Sequence, residues 1–136
     1  TGEVLKTARP NIKIIGTEPD NAALLSGQEW QPHKIQGWTP DFIPKVLNTE
    51  IADEIILVND EDSIKTARLL AQKEGIFCGI SAGATMRAAI IAAEKAPSNN
   101  TFCVILPDTG ERYLSTPLFE GISEESDEEW LSQQKK

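Results

Sequence analysis

The sequence is poor in the side chains that build metal centres, disulfide frameworks and nucleophile–base pairs. Its 136 residues include two cysteines and one histidine. Cys78 and Cys103 stand in apolar surroundings without the spacing of metal ligands, which predicts two reduced core thiols in a cytoplasmic protein. A nucleophilic cysteine needs a nearby base, and we interpret the single histidine, His33, as a loop residue without a catalytic role.

The chain also lacks long apolar runs and an excess of basic residues. No apolar run approaches the roughly 20 residues that cross a membrane, and the first residues do not have the pattern of a signal peptide, so no membrane partner is expected. The formal net charge is −8 at pH 7, of which residues 120–136 supply −4 through six acidic residues and two lysines. This acidic balance argues against nucleic acid as a partner, because phosphate backbones bind basic surfaces.

The residues that are present predict an α/β fold. Apolar spacing and turn residues predict helices over 2–9, 22–25, 60–74 and 81–96, strands over 12–17, 55–58 and 102–106, and a strand or tight connector over 76–80. This alternation of strands and helices is typical of a twisted, mostly parallel sheet with flanking helices.

Local features mark one helix and one long loop. Asn59 or Asp60 is expected to cap the helix over 60–74, and Gly75 to end it in the left-handed conformation. Residues 26–49 have little regular pattern, and a connection of this length in a compact domain is usually functional or mobile. We expect aromatic side chains of this loop, Trp38 and Phe42, to pack against the domain.

The exit of the last predicted strand is the strongest candidate for a ligand site. Five apolar residues over 102–106 predict a strand buried on both faces, and Pro107 ends it because proline has no N–H to donate. Ligands of open α/β sheets bind at the carboxyl ends of strands, which is where Asp108 and Thr109 stand. The alternative is a plain strand-to-turn exit capped by Asp108.

Three stretches of the chain resemble one enzyme family in the family's own order. They are HKIQGWTPDFIP (residues 33–44), EGIFCGISAGAT (74–85) and LPDTGERYLST (106–116). Together they resemble cysteine synthase, the O-acetylserine (thiol)-lyase of the fold-type II pyridoxal-phosphate enzymes, over about residues 2–119. The resemblance implies that residues 1–119 are the C-terminal part of a fold-type II catalytic domain, and that residues 120–136 are an acidic tail.

The resemblance also implies roles for particular residues. Thr109 would donate a hydrogen bond to the pyridine nitrogen of pyridoxal 5'-phosphate, whereas its rival Asp108 would point elsewhere. The substrate-side loop would be formed by Gln36, Gly37, Trp38 and Thr39, where this chain is bulkier and more polar than the family's glycine-rich pattern. The helix that borders the cleft would begin at Gly79, Ser81 and Gly83; the alternative for these glycines is tight packing between strand and helix.

The resemblance implies a reaction as well as a missing part. The family's Schiff-base lysine belongs to the half of the family's sequence that precedes residue 1, so we expect none of the nine lysines of this chain to be catalytic and no activity of the chain alone. The family replaces the acetoxy group of O-acetyl-L-serine with sulfide, giving L-cysteine and acetate. The alternatives are a sister β-replacing enzyme such as cystathionine β-synthase, and a non-catalytic α/β module that binds a partner. The family implies a homodimer and a partner in the C-terminal tail of serine acetyltransferase.

Overall fold

The structure, a computed structural model, describes residues 1–122 together with Glu128 and Ser132. Apart from those two residues, the part of the predicted acidic tail that follows residue 122 lies outside the described residues. Along the described chain the elements follow in the order α1 (Gly2–Ala8), β1 (Ile15–Pro19), β2 (Glu54–Val58), α2 (Asp60–Glu74), α3 (Ile80–Lys95) and two 3-10 turns, Gly110–Tyr113 and Pro117–Phe119. None of the described helices is both long enough and apolar enough to cross a bilayer.

The two strands form a parallel pair that carries the helices. Their register runs from Ile15 opposite Glu54 to Pro19 opposite Val58. Helices α2 and α3 pack closely on each other, and α3 contacts both strands. The core between them is built mostly from small and β-branched side chains: Ile35, Ile56, Val58, Ala67, Leu70, Cys78, Ile80, Ala82, Ala84, Ala88, Ala92, Tyr113 and Leu118. The predicted α/β class, with a parallel sheet and flanking helices, is confirmed.

Helix α2 begins and ends at the residues that the sequence marks. The Asn59 side chain caps it, since its Oδ1 accepts a hydrogen bond from the Asp62 N–H at 2.7 Å. Gly75 ends it with φ 67, in the left-handed region. The other candidate cap, Asp60, instead accepts the Lys34 N–H with both carboxylate oxygens at 2.9 Å. Asp60 therefore ties the long loop to the start of the helix.

Helix α3 approaches α2 so closely that one of its residues has no room for a side chain. A Cβ placed on Gly83 would collide with the Ser63 carbonyl oxygen and would lie 2.7 Å from the Ala67 amide nitrogen. Gly83 therefore faces the backbone of α2, and Ala84 and Ala88 beside it are buried. The close approach at Gly83 is therefore to a helix and not to a strand.

The predicted strand over 102–106 is wrong. The segment pairs with no strand among the described residues, and Phe102 and Ile105 are 38% and 70% exposed. Its visible tether is the Thr85 hydroxyl, which donates to the Ile105 carbonyl at 2.7 Å. Leu106 packs against the core on one side. Five apolar residues predict burial on both faces, but burial needs a neighbour on each side, and the described chain covers only one.

Smaller predictions around β1 also need correction. The strand expected over 12–17 forms at Ile15–Pro19, and the short helix expected over 22–25 is a set of turns. The buried Glu18 carboxylate explains the second difference. It accepts the N–H of Leu25 at 2.7 Å and the N–H of Ser26 at 3.1 Å, so these groups are not available for helical hydrogen bonds.

Two further expectations are settled by exposure and pairing. Residues 76–79 form a connector rather than a strand, with an isolated antiparallel bridge between Cys78 and Thr109, and Ile80 already belongs to α3. Cys78 is buried as expected, but Cys103 is exposed, so the prediction of two core thiols is wrong for Cys103. Cys103 lies on the segment over 102–106, which the described chain leaves uncovered on one side.

Candidate functional site

Thr109 lies beside the start of α3, where two segments of the chain meet. The Gly79 N–H donates to the Asp108 carbonyl at 3.3 Å, and the Gly110 N–H donates to the Phe77 carbonyl at 3.2 Å. These bonds hold the turn after Pro107 against the connector that leads into the helix. The Thr109 side chain is exposed at this junction. One predicted site residue is thus brought next to the predicted start of the cleft-bordering helix.

The Asp108 carboxylate is engaged on the inner side of the same turn. Its Oδ2 accepts the Tyr113 hydroxyl at 2.6 Å, while its buried Oδ1 has no hydrogen-bond partner among the described residues. A Cβ on Gly79 would collide with that Oδ1, so the carboxylate lies against the N-terminus of α3. This helix has neither a side-chain cap nor an acidic residue in its first turn. Asp108 therefore supplies the negative charge that the positive end of the helix dipole favours.

The hydroxyl of Thr109 has an exposed carboxylate as its acceptor. A hydrogen bond from this hydroxyl, followed by a backbone N–H, holds the pKa of Glu111 below its ordinary value. Both side chains are exposed, and water competes for such a bond. The hydroxyl can therefore exchange Glu111 for another acceptor at little cost, whereas the Asp108 carboxylate is already fixed from two sides.

Burial and the charge of Asp108 raise the pKa values of two neighbouring groups. Burial, then the hydrogen bond and charge of Asp108, raise the pKa of Tyr113 above 10.0. Burial, then the charge of Asp108, raise the pKa of the Cys78 thiol. The neutral forms of both groups are therefore stabilised in the folded protein, and Cys78 is not activated as a nucleophile.

Replacing Asp108 with asparagine is expected to lower the pKa of Tyr113 toward its ordinary value. Since the folded protein raises this pKa, the linked stability is fully present below pH 10.0 and is lost as the pH rises through the folded pKa. In Asp108→Asn the loss should be smaller and should end at lower pH. Phenolate absorbance during a pH titration measures the pKa, because Tyr113 is the one tyrosine in the sequence, and urea denaturation at each pH measures the stability.

A matched control for this titration is Asp41→Asn. It removes one carboxylate as Asp108→Asn does, but Asp41 is exposed and does not contribute to the pKa of Tyr113. An equal downward shift in both variants would show that the effect comes from net charge rather than from the bond between Asp108 and Tyr113.

The second predicted site segment, residues 36–39, is held at Trp38 and Thr39. Gln36 and Gly37 are exposed, while Trp38 is half-buried and packs against the core. Thr39 adopts φ 37, and it is the one non-glycine residue with positive φ in the described chain. Its carbonyl oxygen accepts the Trp30 indole N–H at 2.9 Å. Phe42, which was expected to pin the loop as well, is 60% exposed, so that expectation is wrong.

Sequence reasoning missed the partners that hold both segments. The bond between Asp108 and Tyr113 falls inside the motif LPDTGERYLST, and their spacing of five residues could have suggested it. The contacts of Trp30 and His33 with Thr39 have no comparable pattern. No hydrogen bond within the described chain joins residues 36–39 to Thr109, so the structure leaves these two parts of the predicted site as separate features.

Comparison with known proteins places this geometry in a family. The family profile described as pyridoxal-phosphate dependent enzyme matches residues 1–108. The chain belongs to the pyridoxal-phosphate dependent enzymes. The predicted cofactor and the resemblance to cysteine synthase are therefore confirmed at the level of the family.

Similar members of this pyridoxal-phosphate family include two bacterial synthases and one solved structure. O-ureido-L-serine synthase of Streptomyces lavendulae is 48% identical over 96% of this chain and 40% of its own length. Cysteine synthase of Staphylococcus aureus is 48% identical over 87% of this chain and 38% of its own length. The crystal structure of cysteine synthase from Entamoeba histolytica superposes with a TM-score of 0.84 at 40% identity, over 97% of this chain and 39% of that one. The chain thus spans about two fifths of these relatives.

Proposed function

We propose that this chain is part of an enzyme that replaces the acetoxy group of O-acetyl-L-serine with sulfide, giving L-cysteine and acetate. The observation that carries the proposal is the turn after Pro107, where the Thr109 hydroxyl is exposed while the neighbouring Asp108 carboxylate is fixed by Tyr113 and α3. Identity of 48% to a cysteine synthase over 118 residues supports the same assignment.

The donor chemistry of Thr109 fits the cofactor. Bound pyridoxal phosphate supplies an electron sink for negative charge that develops on the substrate. A neutral hydroxyl can donate to the pyridine nitrogen but cannot hold a proton on it, whereas a carboxylate would. The Asp108 carboxylate accepts the Tyr113 hydroxyl and lies against the start of α3. The hydroxyl of Thr109 is therefore the group that remains for this contact. An unprotonated ring is a weaker sink, which favours loss of the β-substituent over transamination.

The other predicted residues complete one side of the proposed site. Gln36, Gly37, Trp38 and Thr39 would border the substrate, and the start of α3 at Gly79, Ser81 and Gly83 would back the cleft. The lysine that anchors the cofactor and the loop that binds its phosphate would belong to the three fifths of the relatives' length that this chain does not span. The same proposal includes a cytoplasmic homodimer that binds the C-terminal tail of serine acetyltransferase.

A second candidate reaction uses an N-hydroxyurea in place of sulfide. A relative named O-ureido-L-serine synthase is 48% identical over 131 residues, and the name describes a serine whose β-oxygen carries a ureido group. The polar Thr39 in the substrate-side loop offers hydrogen-bonding groups that a ureido group can use and that sulfide does not need, which favours this candidate. Synthesis of cystathionine from serine and homocysteine is the remaining β-replacement to compare.

Competing substrates separate these reactions. The full-length enzyme that contains this chain is supplied with pyridoxal phosphate, and kcat/KM is measured for O-acetylserine with sulfide, O-acetylserine with hydroxyurea, and serine with homocysteine. The proposal expects the highest value with O-acetylserine and sulfide. A higher value with hydroxyurea would move the assignment to the second candidate, and a preference for serine and homocysteine would contradict both.

The 136-residue chain alone supplies a further arm of the test. Because the proposal places the lysine that anchors the cofactor outside this chain, the chain alone is expected to turn over none of the three substrate pairs, even with cofactor added. Turnover by the chain alone would show that the cofactor's anchoring amine lies within residues 1–136.

A further inference from the structure

We infer that Trp30 and His33 are positioning residues, which hold Thr39 in a strained backbone conformation and thereby fix the loop over residues 36–39 before substrate arrives. The inference rests on the proposed function, because it takes this loop to border the substrate. It adds residues that lie outside the predicted site, together with the way in which they act.

The strain at Thr39 marks the loop as constrained. A φ of 37 is uncommon for any residue with a Cβ and least favourable for a β-branched one. Such conformations persist where surrounding contacts over-determine them, and they cluster at functional sites. Gly37, two residues earlier, also has positive φ, but glycine adopts that conformation freely. Thr39 is therefore the position where the loop needs support from elsewhere.

Two ring donors supply this support at a single carbonyl oxygen. The Trp30 Nε1–H donates to the Thr39 carbonyl at 2.9 Å, and the His33 Nε2 lies 3.4 Å from the same oxygen. A carbonyl only accepts, so the His33 contact requires its proton on Nε2. In the neutral tautomer with this proton the Nδ1 atom keeps a lone pair, and this atom is buried without a hydrogen-bond partner among the described residues. The His33 ring therefore contacts the Thr39 carbonyl through Nε2 while its Nδ1 has no hydrogen-bond partner among the described residues.

Ile35 and Trp38 anchor the loop in the hydrophobic core. Ile35 is fully buried, and the Trp38 ring packs against the core. The Trp38 N–H donates to the Ile35 carbonyl at 3.3 Å, which closes a turn between the two anchors. With the Thr39 carbonyl held from the other side, the backbone of residues 36–39 has little freedom left. A loop ordered in advance lowers the cost of binding, so its loss should appear in KM more than in kcat.

Removing the indole donor tests the inference in the full-length holoenzyme. Trp30→Phe keeps the ring but loses the N–H, and it is expected to raise KM for O-acetylserine about three- to tenfold, with kcat changed less than about twofold. Thr39→Gly removes the strain, so adding Trp30→Phe to that variant should change KM by less than about twofold. Thr39→Ala keeps the Cβ and the strain, and in that background Trp30→Phe should have its full effect.

The pattern across the three backgrounds decides the result. Equal effects of Trp30→Phe in Thr39→Gly and Thr39→Ala would overturn the inference, because the donor would then act independently of backbone strain. An unchanged KM in Trp30→Phe would overturn it as well.

Solvent exchange of the Trp30 indole N–H provides a readout that does not depend on activity. The sequence has three tryptophans, so Trp30→Phe identifies the resonance in a 15N spectrum by its loss. The indole N–H is expected to exchange roughly tenfold more slowly than free indole, and the His33 nitrogens should show the proton on Nε2. Exchange as fast as that of free indole would overturn the inference even in an active enzyme. An enzyme without β-replacing activity but with a protected indole would overturn only the proposed function.

Discussion

Gly83→Ala is expected to lower the free energy of unfolding by about 3 kcal/mol, the upper end of the usual range for an overpacked core. The added Cβ would collide with the Ser63 carbonyl oxygen and lie 2.8 Å from the Ala67 Cβ, so α2 and α3 must move apart. The first contact is with backbone, which cannot rotate away as a side chain can. The gain of about 1 kcal/mol that alanine brings to a helix interior only partly offsets this loss. Urea denaturation of the protein measures the difference.

The matched control is the same substitution at a glycine with room around it. A Cβ on Gly16 would lie 3.5 Å from the Ile55 Cγ1 and 3.6 Å from the Ala52 Cβ, which are ordinary packing distances. Gly16→Ala should therefore change the free energy of unfolding by less than about 1 kcal/mol, since it also reduces the freedom of the unfolded chain. A loss in Gly83→Ala no larger than in Gly16→Ala would contradict the close approach of α2 and α3.

Predictions that depend on neighbours along the chain were the accurate ones. Helix α2 begins after Asn59, one of the two caps that the sequence predicts, and ends before Gly75, because capping side chains and left-handed glycines act within a few residues of themselves. The alternation of strands and helices along the chain predicts parallel pairing, and β1 and β2 do pair in parallel.

Predictions that depend on what packs against a segment were less accurate. The apolar run over 102–106 has the composition of a buried strand, yet composition does not say whether a partner strand lies beside it. The turns after β1 form because Glu18 reaches the amides of Leu25 and Ser26, a contact that no local pattern announces. In the first case a neighbour is missing among the described residues, and in the second a tertiary contact overrides local propensity.

In the candidate site, too, some features could be predicted from the sequence and others depend on contacts that only the folded chain shows. Resemblance to the family marked Thr109, and the structure adds why its neighbour Asp108 is not equivalent: the Asp108 carboxylate is held by Tyr113. The support of Thr39 by Trp30 and His33 comes from residues that precede it by nine and six positions in an irregular loop. Such contacts have no period, so only the folded chain reveals them.

Thr109→Val is expected to lower kcat/KM for O-acetylserine and sulfide by about tenfold to a hundredfold in the full-length holoenzyme. Valine has nearly the volume of threonine but no hydroxyl, so the pyridine nitrogen would lose its donor and remain unpaired at the site. In the cofactor-free protein the same variant should raise the pKa of Glu111 toward its ordinary value, because the bond from Thr109 is the main cause of the lowering. Steady-state kinetics measure the first effect, and an NMR titration of the Glu111 carboxyl measures the second.

The conservative variant separates the hydroxyl from the shape of the side chain. Thr109→Ser keeps the donor and should stay within about threefold of the unchanged enzyme, with the pKa of Glu111 still lowered. If Thr109→Val and Thr109→Ser lost activity equally while Glu111 responded only to valine, the hydroxyl would have its role in the turn and not at the cofactor. The Glu111 titration makes that distinction, since it reports whether the hydroxyl is present and donating independently of turnover.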